Sequence, residues 1–279
     1  MRIFFPQLTK DFIDNVETSL KENKRNYMGI SYIGHKCDRF LFLNFRWVVD
    51  EALSNQKKRL LARGGREEIE VVKLIQSTGA EVVDYGENQR EVVYGSWVKG
   101  HIDGIITKGL LESPNKEHIL EIKTSNDKAF KELKDKGVKV AKPLHYAQMQ
   151  CYMYLSDIDR AFYFVVNKND DEIYTQRLYL DENFALELLK RGERIATSNT
   201  MPAPLSTNPT WFECKICPYH SLCHKKDKSR INKNCRTCEY ALFEEDGKFY
   251  CKKDNTEKTN SEQVSDCPNY KLNFDIENI

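Results

Sequence analysis

The apolar positions of the chain follow a helical period first and a strand pattern afterwards. Between Gln56 and Ser77 they recur at roughly helical spacing, and Gly79 follows as a stop signal. This pattern predicts a helix with one buried face. Val- and Ile-rich runs separated by turn residues come next and predict three strands. These runs are Glu81–Tyr85, Glu91–Thr107 and His118–Thr124.

A second helix and two further strands follow these runs. Pro143 stands where the first turn of a helix tolerates proline, and Leu144–Leu155 carries a helical pattern. Ala161–Asn167 is apolar enough for a buried strand, Glu172–Leu180 alternates like an edge strand, and Asp181 caps another helix. The order helix, three strands, helix, strand predicts an α/β protein.

Composition is typical of a folded domain and gives no sign of a membrane span. Of 279 residues, 40% are hydrophobic and 30% are charged. The longest apolar run, Ala161–Val166, is far shorter than the ~20 residues that cross a bilayer. The chain begins without the apolar region of a secretory signal. We therefore expect a cytoplasmic protein without a membrane partner, and the net charge of +1 neither favours nor excludes nucleic acid.

The composition of the chain changes beyond Met201, where most of the cysteines lie. Three prolines lead into irregular, basic sequence, and eight of the nine cysteines of the chain fall into two groups. Clustered thiols in a reducing compartment usually bind metal and seldom form disulfides. Because this part has too few apolar residues to order itself, we predict a metal-stapled C-terminal extension.

Two acids and a lysine are placed to meet on neighbouring predicted strands. Asp103 lies near the end of one strand, and Glu121 and Lys123 lie on the next. Their i and i+2 spacing puts Glu121 and Lys123 on one face, while Ile122 points into the core and leaves its carbonyl beside them. Such oxygens can hold a hard divalent cation that activates water toward a phosphodiester, with the lysine orienting that water. The ordinary alternative is a surface salt bridge.

Asp103, the Glu121-Ile122-Lys123 run and the order of elements around them resemble the PD-(D/E)XK nuclease superfamily, in its RecB-like and lambda-exonuclease-like branch. The resemblance implies a restriction-endonuclease-like core in the order αβββαβ. It also implies a metal-dependent DNA exonuclease in which these residues hold Mg²⁺ or Mn²⁺. Glu68 matches the acidic first motif of that branch as a further ligand, with Glu67 as the alternative.

The helix after the predicted catalytic strand carries a second motif of that branch. Gln148 and Tyr152 look like its Gln-x-x-x-Tyr motif, and at i and i+4 they share one helical face. The resemblance implies that they hold the substrate phosphate and position the lysine. The alternative is an ordinary amphipathic helix.

Cys214, Cys217 and Cys223 provide three soft ligands close together, and a fourth is needed. RecB-like nucleases of the AddB type and the CRISPR-adaptation type hold a 4Fe-4S cluster with one cysteine before the core and three after it, which implies Cys37 as the fourth ligand. Four thiolates also suit zinc. A zinc variant could use a nearby histidine in place of Cys37 or Cys223. The histidines concerned are His220 and His224.

A second set of four cysteines follows the first, in the pattern C-x2-C-x12-C-x15-C. Its members are Cys235, Cys238, Cys251 and Cys267. A paired C-x2-C with two single cysteines is compatible with a tetrahedral structural zinc site. Similar tails on phage-encoded nucleases of this branch are one reason to expect a viral origin, and hence the host cytoplasm.

These features divide the chain into four predicted regions. Residues 1–60 form a helical segment with one cluster cysteine, and residues 61–200 form the nuclease core. Residues 201–230 contain the other three cluster cysteines, and residues 231–279 form the zinc-knuckle-like unit.

Two basic stretches are candidate DNA contacts. From Cys214 to Arg236, seven Lys and Arg residues stand against one Asp, so this stretch could grip single-stranded DNA by charge and base stacking. The aromatic residues available for stacking are Trp211, Phe212 and Tyr219. The stretch Lys128–Lys142 carries six lysines, and we expect a loop that either follows a phosphate backbone or is a solvated charged surface.

The expected partner is thus DNA, single-stranded or with free ends, with a recombination or single-strand-binding protein as a further partner. One rival function is a CRISPR-adaptation-type nuclease that trims DNA before integration. Others are a non-catalytic iron–sulfur or zinc DNA-binding protein and a redox sensor.

Overall fold

A computed structural model describes residues 8–19, 24–49 and 53–277 of the chain. The elements up to the first long helix are α1 (Leu8–Ser19), β1 (Met28–Gly29), α2 (Ile30–Ile33), α3 (Asp38–Phe45) and α4 (Asn55–Ser77). The α4 helix begins where Ser54 accepts a hydrogen bond from the Lys57 N–H at 3.2 Å. The predicted helix at this position is confirmed.

The central part alternates strands and helices. Its elements are β2 (Glu81–Val83), a 3₁₀ turn (Gly86–Asn88), β3 (Glu91–Tyr94), β4 (Val98–His101), β5 (Gly104–Lys108), β6 (His118–Ser125), α5 (Asp127–Ala141), α6 (Pro143–Ser156), β7 (Arg160–Asn167), β8 (Ile173–Tyr179) and α7 (Glu182–Thr197). Five strands form a sheet in the order β2-β5-β6-β7-β8, in which β6 and β7 pair in parallel and the other neighbours are antiparallel. The predicted mixed sheet flanked by helices is confirmed.

The prediction of one strand over Glu91–Thr107 was wrong, because this run forms β3, β4 and β5. Gly95 adopts a positive φ of 57° in the turn after β3, a conformation that glycine takes without strain. The carboxylate of Glu193 accepts hydrogen bonds from the Ser96 and Trp97 N–H groups in the same turn. The strands β3 and β4 belong with β1 to a separate three-stranded sheet, and only β5 enters the main sheet.

The expected loop over Lys128–Lys142 is instead the helix α5. Asn126 caps it by accepting a hydrogen bond from the Ala129 N–H at 3.0 Å. Phe130 and Leu133 are buried and lie three residues apart on one face of this helix. The many lysines between them and around them made this apolar face hard to recognise in the sequence. The helix is interrupted at Gly137, where φ is 71°.

The two faces of the main sheet pack against different helices. On one face, α4 buries Val71 and Val72 against Leu120 and Ile122 of β6. On the other face, Ile119 of β6 belongs to the larger core that α2, α3, α6 and α7 complete. Alternation along β6 therefore directs its odd-numbered residues to the face opposite α4.

The C-terminal part adds short elements to this core. They are α8 (Phe212–Lys215), α9 (His220–Lys225), 3₁₀ turns at Lys228–Arg230 and Cys235–Thr237, β9 (Ala241–Phe243), β10 (Phe249–Cys251), β11 (Thr256–Glu257), α10 (Asn260–Gln263) and α11 (Phe274–Glu277). The three strands form an antiparallel sheet. Phe243 from this sheet packs against Phe45 and Trp97, so one core runs through the N-terminal and C-terminal parts. In the described ranges, no helix is both long and apolar enough to cross a membrane.

Candidate active site and cysteine-lined cavities

A cleft of about 610 Å³ opens between α4, β4, β6 and α6. Of the acidic and basic residues singled out in the sequence, Glu68, Asp103 and Lys123 line it. The carboxylate of Glu121 lies directly behind, with no solvent exposure.

Asp103 lies at the junction of β4 and β5, where the chain passes from the small sheet to the main sheet. One of its oxygens, Oδ2, accepts a hydrogen bond from the Ile122 N–H at 2.9 Å and a second from Lys123 Nζ at 3.3 Å. With only 8% exposure, the carboxylate is held from two sides. The strand crossing therefore fixes Asp103 against the middle of β6.

Lys123 Nζ is the point at which three oxygen atoms meet. It lies 2.6 Å from Glu121 Oε1, 3.0 Å from the Ile122 carbonyl oxygen and 3.3 Å from Asp103 Oδ2. The i and i+2 spacing on β6 puts Glu121 and Lys123 together, while the Ile122 side chain packs toward α4 as expected. The structure thus brings together the three side chains that the sequence singled out.

Gln148 and Tyr152 of α6 stand behind Glu121. Gln148 Nε2 lies 3.2 Å from Glu121 Oε2 and 3.2 Å from the Tyr152 hydroxyl, and donates to both. Both side chains are buried and border the cleft. Gln148 therefore contacts the Glu121 carboxylate directly, and Tyr152 contacts Gln148.

Glu68 faces the cleft from α4, and Glu67 is not among the residues that line it. The Glu68 carboxylate accepts a hydrogen bond from Gln89 Nε2 at 3.3 Å. Of the two candidates for the acidic first motif, the geometry favours Glu68.

Burial and neighbouring charges shift the pKa values of these groups. Burial raises the pKa of Glu121 above its ordinary value, with Lys123 opposing and Asp103 adding to the shift. Burial and then the charge of Asp103 raise the pKa of Glu68 to about 7. Burial alone would lower the pKa of Lys123, but Asp103 and Glu121 outweigh it and raise that pKa above its ordinary value. Crowded acids around one cation are typical of functional sites.

The chemistry of the donors in this cleft suits a hard divalent cation, although Glu68, Asp103 and Glu121 do not stand in the geometry of a metal site as the described side chains are placed. Glu121 is fully buried, and its Oε1 lies 2.6 Å from the Lys123 ammonium. A buried carboxylate needs a cation nearby, and Lys123 supplies that charge in this structure. The converging atoms are all oxygens, which Mg²⁺ and Mn²⁺ prefer.

The cleft also has polar walls. His101 of β4, which precedes Asp103 and was considered in the sequence as a metal or phosphate contact or an ordinary packing histidine, lines the cleft. Lys99, Gln89, Arg25 and Lys168 also line it and were missed, although Lys99 shares one strand face with His101 by alternation. Arg25 and Lys168 come from chain segments far from β4, and no spacing in the sequence relates them to it.

Cys37, Cys214, Cys217 and Cys223 line one small cavity of about 20 Å³. Cys37 lies at the start of α3, where its sulfur accepts a hydrogen bond from the Phe40 N–H at 3.4 Å. Burial raises the pKa of the Cys217 thiol to about 11. His220 and His224, the histidines considered for a zinc variant, border the same cavity.

The second set of cysteines also lines one cavity, of about 40 Å³. All four members, Cys235, Cys238, Cys251 and Cys267, border it together with Tyr240 and Phe249. Thiol donors suit zinc or an iron–sulfur cluster in both cavities. As the side chains stand, no group of three or more His, Cys, Asp or Glu in the described ranges has the geometry of a metal site.

Two residues of the basic stretch that was expected to contact DNA are buried and cannot contact it. Arg236 is 1% exposed and belongs to the core, and Tyr219 is 5% exposed and packs against Phe40. Counting charges along the sequence does not reveal burial, so these two predictions were wrong. Trp211 and Phe212 do lie on the surface.

The mixed sheet with its acidic cleft defines a restriction-endonuclease-like nuclease fold. A family model described as the PD-(D/E)XK nuclease superfamily matches residues 36–224, more than half of the 279-residue chain. The chain therefore belongs to the PD-(D/E)XK nuclease superfamily.

Solved structures similar to this chain have low sequence identity to it. A protein designated SSO0001 is 19% identical with a TM-score of 0.41, covering 78% of this chain and 98% of its own. The alkaline exonuclease LHK-Exo from Laribacter hongkongensis is 16% identical with a TM-score of 0.41, covering 62% and 87%. A phage related exonuclease from Haemophilus somnus 129PT is 20% identical with a TM-score of 0.33, covering 48% and 68%. Comparison with curated proteins gives no significant match.

Proposed function

We propose that the chain is a metal-dependent deoxyribonuclease that hydrolyses phosphodiester bonds at DNA ends, with Mg²⁺ or Mn²⁺ as its cofactor. The observation that carries the proposal is the convergence of oxygens from Asp103, Glu121 and Ile122 within 3.3 Å of Lys123 Nζ. Membership of a nuclease superfamily supports the same class of reaction.

The residues of the cleft have two roles in this proposal, cation binding and orientation of the attacking water. Asp103, Glu121 and the Ile122 carbonyl would hold the cation, with Glu68 as a further ligand. A bound divalent cation lowers the pKa of a water and offsets phosphate charge. Lys123 holds its protonated ammonium beside the two acids, where it can orient the attacking water and donate to a phosphate oxygen.

Gln148 and Tyr152 support this arrangement from behind. Gln148 donates to Glu121 Oε2, which keeps that carboxylate turned toward Lys123. The cations Arg25, Lys99 and Lys168 in the cleft walls favour a polyanionic substrate. DNA with free ends or single strands, handled in recombination, repair or phage DNA metabolism alongside a recombination protein, is the substrate and setting we propose.

The test is cleavage of end-labelled linear single and double strands, and of circular DNA, in Mg²⁺ or Mn²⁺. We expect release of nucleotides from linear DNA only. Asp103→Asn keeps an acceptor for the Ile122 N–H, and Glu121→Gln keeps the side-chain shape, so both should fold and bind DNA. Each should lose activity by roughly two orders of magnitude or more. Full activity in either variant would refute the site, and Asp135→Asn, on an exposed position of α5, is the matched control.

We also propose that Cys37, with the three cysteines at 214, 217 and 223, holds a 4Fe-4S cluster. The second set of four cysteines is proposed to hold structural Zn²⁺. Support comes from the four thiols that line each cavity and from the thiolate preference of both groups. Anaerobic purification followed by iron, sulfide and zinc analysis tests both assignments. We expect Cys37→Ser to lose iron and keep zinc; loss of neither metal, or absence of iron in the parent, would overturn the cluster assignment.

A further inference from the structure

Arg236, which lies between two cysteines of the second set, is buried in the core. Its three guanidinium nitrogens each donate to a different uncharged oxygen. Nε donates to Gln263 Oε1 at 2.7 Å, Nη1 to the Phe45 carbonyl at 2.8 Å and Nη2 to the Asn26 carbonyl at 2.8 Å. One side chain of the C-terminal part thus ties down two backbone positions of the N-terminal part.

Aromatic rings from both ends of the chain surround this guanidinium. Its central carbon lies 4.2 Å from the ring centroid of Trp47 and 4.7 Å from that of Phe45. On the C-terminal side, Phe243 lies at 5.4 Å. Desolvated cation–π contacts of this kind stabilise a buried cation. The rigid fork of arginine also serves three divergent acceptors, which a lysine ammonium cannot match.

The backbone that Arg236 holds belongs to a wall of the cleft. Asn26 lies between Arg25 and Tyr27, and both of these line the cleft. Trp47, which stacks on the guanidinium, donates from Nε1 to the Arg25 carbonyl at 2.9 Å. Residues 24–27 lie outside helices and strands, so these two hydrogen bonds replace the ladder that would otherwise fix them.

We propose that Arg236 is a positioning residue of the active-site cleft: it anchors residues 25–27 so that Arg25 and Tyr27 face the substrate. The proposal rests on the proposed nuclease function. It gives the cysteine-rich C-terminal part a role in substrate binding through the cleft wall, since the loop between Cys235 and Cys238 carries the anchor.

The test compares Arg236→Lys and Arg236→Met with the parent chain. Lysine keeps the charge but loses the fork, and methionine keeps an apolar stem. Both should raise hydrogen exchange in a peptide covering residues 24–29, including the Met28 amide that donates to the Trp97 carbonyl. On linear DNA we expect KM to rise about five-fold or more while kcat stays within about two-fold. Lys252→Met removes an exposed charge from the same part of the chain and is the matched control.

Trp47→Phe gives a second, independent test of the anchoring of residues 25–27. It keeps an aromatic ring but removes the hydrogen bond to the Arg25 carbonyl, so we expect a smaller rise in exchange and KM. If Arg236→Met does not fold, the Arg236→Lys and Trp47→Phe variants decide. Parental exchange and KM in both of these would overturn the proposal, as would a fall in kcat with KM unchanged. A parent chain that does not cut DNA would refute the nuclease function, while exchange at residues 24–29 would still decide the anchoring.

Discussion

Gly100 lies so close to Tyr152 that a methyl group at position 100 would come within 2.7 Å of the ring and 2.8 Å of the hydroxyl oxygen. Tyr152 accepts a hydrogen bond from Gln148, and Gln148 donates to Glu121. The absence of a side chain on β4 therefore lets α6 approach closely enough to orient the buried acid of β6. Only glycine, which has no Cβ, permits this approach without a shift of the neighbouring atoms.

Gly100→Ala should disturb this contact. We expect it to destabilise the fold by about 1–3 kcal/mol, because overpacking a filled core forces neighbours to move, and to lower cleavage about ten-fold as Gln148 turns away from Glu121. Urea denaturation and steady-state kinetics measure the two effects. Tyr152→Leu removes the ring, so the alanine should be less destabilising in that background. Additive effects of the two changes would show that Gly100 and Tyr152 are not coupled.

Glu68 and Glu67 should differ sharply in function. Glu68→Gln removes a carboxylate from the cleft, so we expect the Mn²⁺ concentration needed for half-maximal cleavage to rise about ten-fold. Glu67→Gln changes a neighbouring position of α4 that does not line the cleft and should leave the metal requirement at the parental value. Metal titration of cleavage, with calorimetry of Mn²⁺ binding, separates them. The reverse result would assign the first motif to Glu67.

Gly65 is expected to lower the stability of α4 while leaving room for DNA in the cleft. It lies in the middle of α4 and lines the cleft, and an added Cβ would have open space around it. Gly65→Ala should therefore stabilise the protein by about 0.5–1 kcal/mol, the difference in helix propensity. If a DNA strand passes along this surface, KM should rise at the same time. Thermal unfolding and KM on linear DNA test the pair, and a gain in stability with unchanged KM would place the strand elsewhere.

Much of the scaffold could be predicted from the sequence because its signals are local. The α4 period and the apolar run of β7 each lie within one element. The acid and lysine of β6 were found for the same reason, since alternation along one strand determines their common face. The run over Glu91–Thr107 was misread because it contains a turn between β3 and β4, where the Ser96 and Trp97 N–H groups donate to the distant carboxylate of Glu193, and a change of sheet between β4 and β5.

The parts of the site that the sequence did not predict depend on contacts between distant segments. Two of the three acceptors of Arg236 lie 191 and 210 positions away along the chain, and its sequence context of lysines suggested a surface charge. The walls of the cleft likewise bring Arg25, Lys99 and Lys168 together from three separate segments. Such relationships have no period or spacing in one sequence, so only the folded chain reveals them.

His145 should make the protein sensitive to mild acid. Its Nδ1 lies 2.6 Å from the Tyr163 hydroxyl, and burial, with a contribution from Lys123, lowers the pKa of His145 from 6.5 to about 3. Between these two values the unfolded chain binds a proton that the folded chain does not. Stability from this group is therefore fully present above about pH 6.5 and is lost as the pH falls toward 3.

His145→Asn keeps a polar partner for Tyr163 and removes the titration. Between pH 7 and pH 5 we expect the parent to lose about 1–2 kcal/mol more unfolding free energy than the variant. Urea denaturation of both proteins at the two pH values gives this difference directly, since other titrating groups cancel in the comparison. Equal losses in parent and variant would mean that His145 accepts a proton in the folded chain as readily as in the unfolded one.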